Sequence, residues 1–207
     1  SLSVADIALP EYSRALLQAE LKVFMDWFVN QLLTTAADDE SSDMVAGRQV
    51  FTSLSDVLLD NACAQPQVLV HRDFHSRNLM VLEDRQLAVI DFQDAVIGPI
   101  TYDPVSLLKD CYIAWPRERQ LAWLGQHQQL LSESGLLAPV STTTFVRWFD
   151  LMGLQRHIKV LGVFARLSLR DNKHDYLKDL PLVLFYTREA MAWYRQEIPQ
   201  VADFEAW

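Results

Sequence analysis

The spacing of apolar residues predicts two helices in the first 62 residues of the chain. Pro10 suits the first turn of a helix, and leucine and phenylalanine recur three or four positions apart from there to about residue 32. A polar, acidic stretch at 38–43 separates this helix from a second periodic segment at 45–62, which Pro66 ends. Each helix is expected to turn its apolar face towards a core.

The period of the pattern changes in the middle of the chain and then returns to helical spacing. Short apolar runs around polar loops predict three strands, at 68–70, 79–82 and 87–90. Beyond Pro104 the helical period resumes in four segments, at 105–111, 117–134, 142–169 and 182–197. We therefore predict an α+β fold that is mostly helical, with a small β insert in its first half.

Composition and charge restrict the class of protein and its partners. The net charge is -9 and the pI is about 4.9, which argues against a nucleic-acid partner. The sequence has no run of about 18 uncharged apolar residues and no leader-like N-terminus, which argues against a membrane. We expect a soluble, cytoplasmic protein with one domain, 1–207, made of three parts: 1–66, 67–103 and 104–207.

The β insert carries polar residues at a spacing that suits phosphoryl transfer. The segment 71–78 fits H-R-D-x-x-x-x-N and contains Asp73 and Asn78, and Asp91 follows in the sequence I-D-F. Phosphoryl transfer needs an acceptor for the proton of the attacking hydroxyl and oxygen ligands for Mg²⁺. We therefore expect Asp73 to be the catalytic base, and Asn78 and Asp91 to hold Mg²⁺ beside ATP.

At these residues the sequence resembles the aminoglycoside phosphotransferase and choline kinase group, whose fold is like that of protein kinases. That group typically has H-G-D in this loop, so Arg72 departs from its pattern and matches protein kinases instead. The sequence I-D-F-Q-D-A at 90–95, followed by G-P and T-Y-D, is similar to the anomeric amino-sugar kinases of peptidoglycan recycling. The resemblance implies ATP-dependent phosphorylation of N-acetylmuramate and N-acetylglucosamine at the C1 hydroxyl.

Further residues are candidates for substrate binding or for support of the catalytic loop. The resemblance implies that His71 and Asp103 brace this loop. Candidates for contact with the acceptor lie inside the loop and after the metal residue: His75, Arg77, Gln93 and Asp94. A last set lies in the middle of the predicted helix 142–169: Arg156, His157, Lys159 and Arg166. The resemblance implies that this helical part forms the acceptor pocket, so one interpretation is that one of them contacts the acetamido or carboxylate group of the sugar. The preferred interpretation is surface ion pairs.

A complete kinase of this group also has an N-terminal lobe, with a glycine-rich loop over the phosphates and a strand lysine paired with a helix glutamate. This chain has six glycines, no G-x-G-x-x-G, and no V-A-I-K-like strand before the catalytic loop. We therefore expect a C-terminal lobe whose N-terminal lobe, its intramolecular partner, is absent. Such a lobe alone is expected to bind nucleotide weakly and to turn over little or no substrate.

Several other functions are compatible with parts of the pattern. The three catalytic residues handle the phosphate and not the acceptor, so they also suit an aminoglycoside, choline, homoserine or methylthioribose kinase. A pseudokinase would keep the fold as a binding module, although such proteins usually lose at least one of the three residues. A metal-dependent hydrolase would need more ligands, and the loop offers only His71 and His75.

Overall fold

A computed structural model describes residues 9–34 and 41–207. The helices in this part of the chain are α1 Arg14–Val23, α2 Ser42–Cys63, α3 Tyr102–Leu108, α4 Arg117–Glu133, α5 Thr142–Leu169, α6 Leu180–Tyr194 and α7 Pro199–Ala206. The strands are β1 Gln67–Val70, β2 Leu79–Val81, β3 Leu87–Val89 and β4 Val96–Pro99. A π-helical stretch, Phe24–Leu33, continues α1. Two short 3₁₀-helices lie at Ser76–Asn78 and His174–Asp179. Residues 38–40 of the predicted acidic stretch lie outside the described residues.

The predicted helix start at Pro10 is wrong, because α1 begins at Arg14. The side chain of Ser13 accepts a hydrogen bond from the backbone N–H of Leu16 (3.3 Å) and caps the helix there. The residues before it are extended instead, since the backbones of Pro10 and Tyr12 bond to that of Ile97 at 2.9 and 2.7 Å. The segment before α1 is therefore anchored beside strand β4.

Helix α5 forms the centre of the fold and has the bounds that the sequence predicts. The hydroxyl of Ser141 caps it by accepting a hydrogen bond from the backbone N–H of Thr144 (3.1 Å). The helix packs against α1 and its π-helical continuation, and against α2, α3, α4 and α6. A Cβ atom at Gly162 would lie 2.5 Å from backbone atoms of Val23 and Phe24, so glycine permits the close approach of the two helices.

The strands form two antiparallel pairs that bring two loops together. β1 pairs with β4, with Val70 opposite Val96, and β2 pairs with β3, with Leu79 opposite Val89. The loop that leaves β1 and the loop that enters β4 therefore lie at the same end of that sheet. Strand β4 was not predicted, because its sequence V-I-G-P ends in two residues that usually indicate a turn.

The coarse fold class is confirmed: the described chain is mostly helical, with a small β insert between residues 67 and 99. Helices α2 and α4 begin and end within three residues of their predicted bounds, whereas α7 was not predicted. Across residues 9–34 and 41–207, no helix has both the length and the apolar character required to span a bilayer.

Candidate active site

The loop 71–78 is attached to the start of helix α3. One carboxylate oxygen of Asp103 accepts the backbone N–H of His71 at 2.7 Å, and the other accepts that of Arg72 at 3.0 Å. Burial raises the pKa of Asp103, although the two N–H groups act in the opposite direction. The imidazole of His71 lies 3.0 Å from the carbonyl oxygen of Ile90 and so connects the two loops. His71 and Asp103, which the resemblance implied as braces of the loop, therefore both make hydrogen bonds to its backbone or to that of the neighbouring loop.

Arg72 has an uncommon backbone conformation that its side chain helps to hold. Its φ of 74° lies in the left-handed region, which glycine adopts easily and other residues seldom adopt. Its guanidinium lies 2.5 Å from a carboxylate oxygen of Glu20 and 5.2 Å from the ring centroid of Tyr12. This buried ion pair gives a physical reason for an arginine at a position where the related group usually has glycine.

Glu20 is a residue of the site that the sequence analysis missed. Its carboxylate also accepts a hydrogen bond from Tyr12 and lies 2.8 Å from the ammonium of Lys159. Burial on its own would raise the pKa of Glu20, but the charges of Lys159 and Arg72 and the hydrogen bonds from Lys159 and Tyr12 together outweigh burial, and the pKa is lowered. The available signal was the position of Glu20 between Leu17 and Leu21, on the apolar face of its helix.

Asn78 lies between the two aspartates of the predicted phosphoryl-transfer set. Its amide nitrogen donates to the backbone carbonyl of Asp73 at 3.0 Å and lies 3.4 Å from a carboxylate oxygen of Asp91. The amide of Gln93 donates to the other oxygen of Asp91 at 2.7 Å. Asp91 has a φ of 69°, and its backbone neighbour Ile90 donates to the carbonyl of Asn78 at 3.1 Å. The structure thus brings the three residues to one place.

This donor set fits Mg²⁺. The cation takes hard oxygen ligands, keeps several of its waters and needs only one or two protein carboxylates. Asp91 supplies a carboxylate, and Asn78 supplies a carbonyl oxygen whose orientation is set by the two contacts of its amide nitrogen. Within the described ranges, no group of three or more His, Cys, Asp or Glu side chains has the arrangement of a metal cage.

A small cavity adjoins Asp73 on the side of the helical core. It has a volume of about 160 Å³, and polar side chains from the catalytic loop, the segment after α3 and helix α5 line it. These include Asp73, His75, Tyr112, Arg156 and Lys159. Burial lowers the pKa of His75, which favours its neutral form in the cavity wall. The cavity therefore leaves open space beside Asp73.

The expected surface roles of Arg156 and His157 are wrong. Both side chains are buried, with 7% and 1% of their surface exposed, because residues 149–158 of α5 are covered without interruption. Burial lowers the pKa of His157 to about 3, and its Nε2 atom lies 3.0 Å from the carbonyl oxygen of Lys109. Lys159 also faces inward, towards Glu20.

The other candidates for acceptor contact lie outside the cavity wall. The guanidinium of Arg77 stacks 3.3 Å above the ring centroid of Tyr112. Asp94 is exposed, and its carbonyl oxygen is 3.5 Å from the guanidinium of Arg72. Asp110 was missed by the sequence analysis, yet it accepts both the backbone N–H (3.1 Å) and the hydroxyl (2.5 Å) of Ser76 and so holds the loop from the α3 side.

Two apolar features flank the loops. A cavity of about 650 Å³ lies between the β2–β3 hairpin and α4, but neither Asp73, Asn78 nor Asp91 lines it, so its size does not make it the reaction site. Beside the Asp91 loop, Met80, Ile90 and Phe92 are 52%, 43% and 68% exposed. Large apolar side chains in one exposed region indicate a contact surface.

Two adjacent loops lie on short antiparallel strands and are held by the start of a helix, an arrangement that belongs to a kinase-like fold. An ethanolamine kinase of Plasmodium vivax shares this fold. The two structures have a TM-score of 0.57 and 13% sequence identity over 86% of this chain and 50% of that protein.

The sequence profile of the phosphotransferase enzyme family matches residues 3–140, and the chain belongs to this family. Over 201 residues it is 40% identical to an N-acetylmuramate/N-acetylglucosamine kinase of Pseudomonas putida, a match that covers 97% of this chain and 57% of that protein. A kinase of the same name from Neisseria meningitidis serogroup B is 41% identical over 194 residues, or 94% of this chain and 56% of that protein. The chain thus spans little more than half the length of these relatives, and the predicted resemblance is confirmed.

Proposed function

We propose that the protein transfers the γ-phosphoryl group of ATP to a hydroxyl of an amino sugar, with N-acetylmuramate and N-acetylglucosamine as acceptors and C1 as the site of transfer. The observation that carries this proposal is the position of Asn78, which contacts the carboxylate of Asp91 and the backbone of Asp73, a residue that lines a cavity. The two relatives described above are named for these acceptors.

In this proposal each residue has a distinct task. Asp73 orients the acceptor hydroxyl and accepts its proton as the oxygen attacks. Asn78 and Asp91 would hold Mg²⁺, which neutralises charge on the β and γ phosphates when it is bound. Gln93 orients Asp91 through their 2.7 Å hydrogen bond. His75 contacts the acceptor in the cavity, and Arg77 and Asp94 contact it from the rim.

The exposed apolar face at Met80, Ile90 and Phe92 supports a second part of the proposal. A flat apolar face next to a phosphate site suits the adenine of ATP and a second, glycine-rich lobe that packs over it. These 207 residues would then form one wall of the nucleotide site. By themselves they would bind Mg-ATP weakly and turn over little or no substrate. Calorimetry of this segment with Mg-ATP tests the point, and tight binding would contradict it.

The central experiment uses the complete protein and two variants. Asp73→Asn should lower kcat by at least about a hundredfold while Mg-ATP binding is retained, because a general base typically contributes this much or more. Asp91→Ala should instead abolish the Mg²⁺-dependent part of nucleotide binding. An unchanged rate in Asp73→Asn would show that the assigned base is wrong.

The acceptor is tested separately with a panel of alcohols. Turnover of N-acetylmuramate and N-acetylglucosamine, without turnover of kanamycin or choline, is the expected result for the wild-type protein. Preference for kanamycin, choline, homoserine or methylthioribose would assign the same phosphoryl-transfer site to another acceptor. If the wild-type protein binds Mg-ATP but phosphorylates none of these alcohols, the result would favour a non-catalytic binding module over a kinase.

A further inference from the structure

Arg156 carries a buried positive charge that makes no direct ion pair in the described part of the chain. Its side chain lies in the wall of the cavity beside Asp73 and is 7% exposed. Its guanidinium donates to the hydroxyl of Ser106 at 2.7 Å, contacts the thiol of Cys111 and lies 5.8 Å from the ring centroid of Tyr102. All three partners are neutral groups, and burial raises the pKa of the Cys111 thiol, which keeps it protonated.

Nearby carboxylates act on this charge without pairing directly with it. Burial on its own would lower the pKa of Arg156, but neighbours that include the Asp73 carboxylate across the cavity raise it. Glu20 lies 2.5 Å from Arg72 and 2.8 Å from Lys159, so two cations already share its charge. Within the described residues, no carboxylate lies within 4.0 Å of the Arg156 guanidinium, and its Nε atom has no hydrogen-bond partner. An arginine stays protonated even when buried. A buried charge without a direct ion pair is unfavourable, so a ligand anion that pairs with Arg156 would be stabilised there.

Arg156 shares a cavity with Asp73 but not with the two residues proposed to hold Mg²⁺. Asp73 and Arg156 both line it, whereas Asn78 and Asp91 do not. Asp110 also lines the cavity, but its oxygens accept hydrogen bonds from the backbone and hydroxyl of Ser76 and from the backbone of Tyr112. An anion at Arg156 would thus belong to the acceptor and not to the nucleotide.

We infer that Arg156 is a specificity residue that binds the carboxylate of an acidic sugar acceptor, in the same cavity in which Asp73 meets the acceptor hydroxyl. The inference rests on the proposed function. A guanidinium presents a planar fork of donors that matches a carboxylate. Of the two proposed acceptors, N-acetylmuramate carries a carboxylate on its lactyl ether and N-acetylglucosamine does not. Arg156 therefore separates acidic from neutral acceptors of the same enzyme.

The test compares both acceptors in the complete protein and its Arg156→Met variant. Loss of a hydrogen-bonded charge pair should raise the KM for N-acetylmuramate by about ten- to a hundredfold, with kcat nearly unchanged. The KM for N-acetylglucosamine should change by less than about threefold. Arg147→Met is the matched control, because Arg147 lies on the same helix but pairs with Glu197 at the surface. It should leave both acceptors unaffected.

A second measurement does not depend on how the variant folds. In the wild-type protein, the methyl ester of N-acetylmuramate should show the same tenfold or greater rise in KM relative to the acid. An ester that the wild-type protein uses as well as the acid would overturn the inference. Equal losses for both acceptors in a folded Arg156→Met protein would also overturn it. The proposed function fails separately, if the wild-type protein phosphorylates neither sugar.

Discussion

Asp150 is the centre of a buried ion network that can be tested by a single substitution. Its side chain is 2% exposed and lies 3.0 Å from the ammonium of Lys109, which is 1% exposed. Both terminal nitrogens of Arg117 donate to its two oxygens at 2.6 and 2.5 Å, and the hydroxyl of Tyr194 donates at 3.2 Å. Lys109 directly precedes Asp110, so this network also positions the residue that holds the catalytic loop.

Asp150→Ala should destabilise the protein strongly. It removes the carboxylate from two cations, and Lys109 is then buried without an ion-pair partner within 4.0 Å among the described residues. Breaking a buried pair in this way costs about 3–5 kcal/mol. For a domain of about 150–250 residues each kcal/mol corresponds to about 2–4 °C, so the melting temperature should fall by about 6–20 °C. Burial already lowers the pKa of Lys109, so loss of its proton would reduce the penalty at high pH.

The assay is thermal and urea unfolding of the complete protein, with kcat measured well below the melting temperature. Asp171→Ala is the control, because Asp171 pairs with Arg170 at the surface, where the two side chains are 28% and 54% exposed. An exposed pair contributes up to about 1 kcal/mol. If the melting temperature of Asp150→Ala falls no further than that of this control, the network does not stabilise the fold and the reasoning is refuted.

Two further predictions concern the loop and the core. In Asp103→Asn, one acceptor oxygen is left for the two backbone N–H groups of His71 and Arg72. The value of kcat should therefore fall by about ten- to a hundredfold, with the KM for ATP little changed, and wild-type kinetics would contradict this. His157 has a folded pKa of about 3, below its unfolded value of about 6.5, so stability should decrease as the pH falls from about 6.5 towards 3, by up to about 1.4 kcal/mol per pH unit. The difference between the urea unfolding midpoints at pH 7 and pH 5 should be smaller in His157→Gln than in the wild type. If this difference is unchanged in the variant, another group causes the pH dependence of stability.

The features that the sequence predicted correctly depend on neighbours along the chain. Helix α5 has its predicted bounds because Ser141 caps it locally and its apolar spacing continues without a break to Leu169. Asp73 and Asn78 are five positions apart in one loop, so their proximity follows from chain connectivity. Asp91 could be added because the hairpin that separates it from the loop is short. The family follows from the same local motifs.

The features that were missed depend on contacts between distant segments. Strand β4 exists because V-I-G-P finds β1 as its partner, although its own sequence favours a turn. Glu20 and Arg72 are 52 positions apart and pair only after α1 packs beside the loop. Arg156 and His157 were assigned to the surface because charged positions on a helix usually face solvent, whereas helix α5 has protein on every side of its middle section.

By itself the sequence determined the local elements and indicated the residues that we propose for phosphoryl transfer, since both follow from short-range spacing and side-chain chemistry. Only the tertiary structure decided which charges are buried, which groups pair with them and which side chains line the cavity beside Asp73. Burial and pairing depend on how helices pack in three dimensions, and the residues that meet in that packing are far apart in the chain.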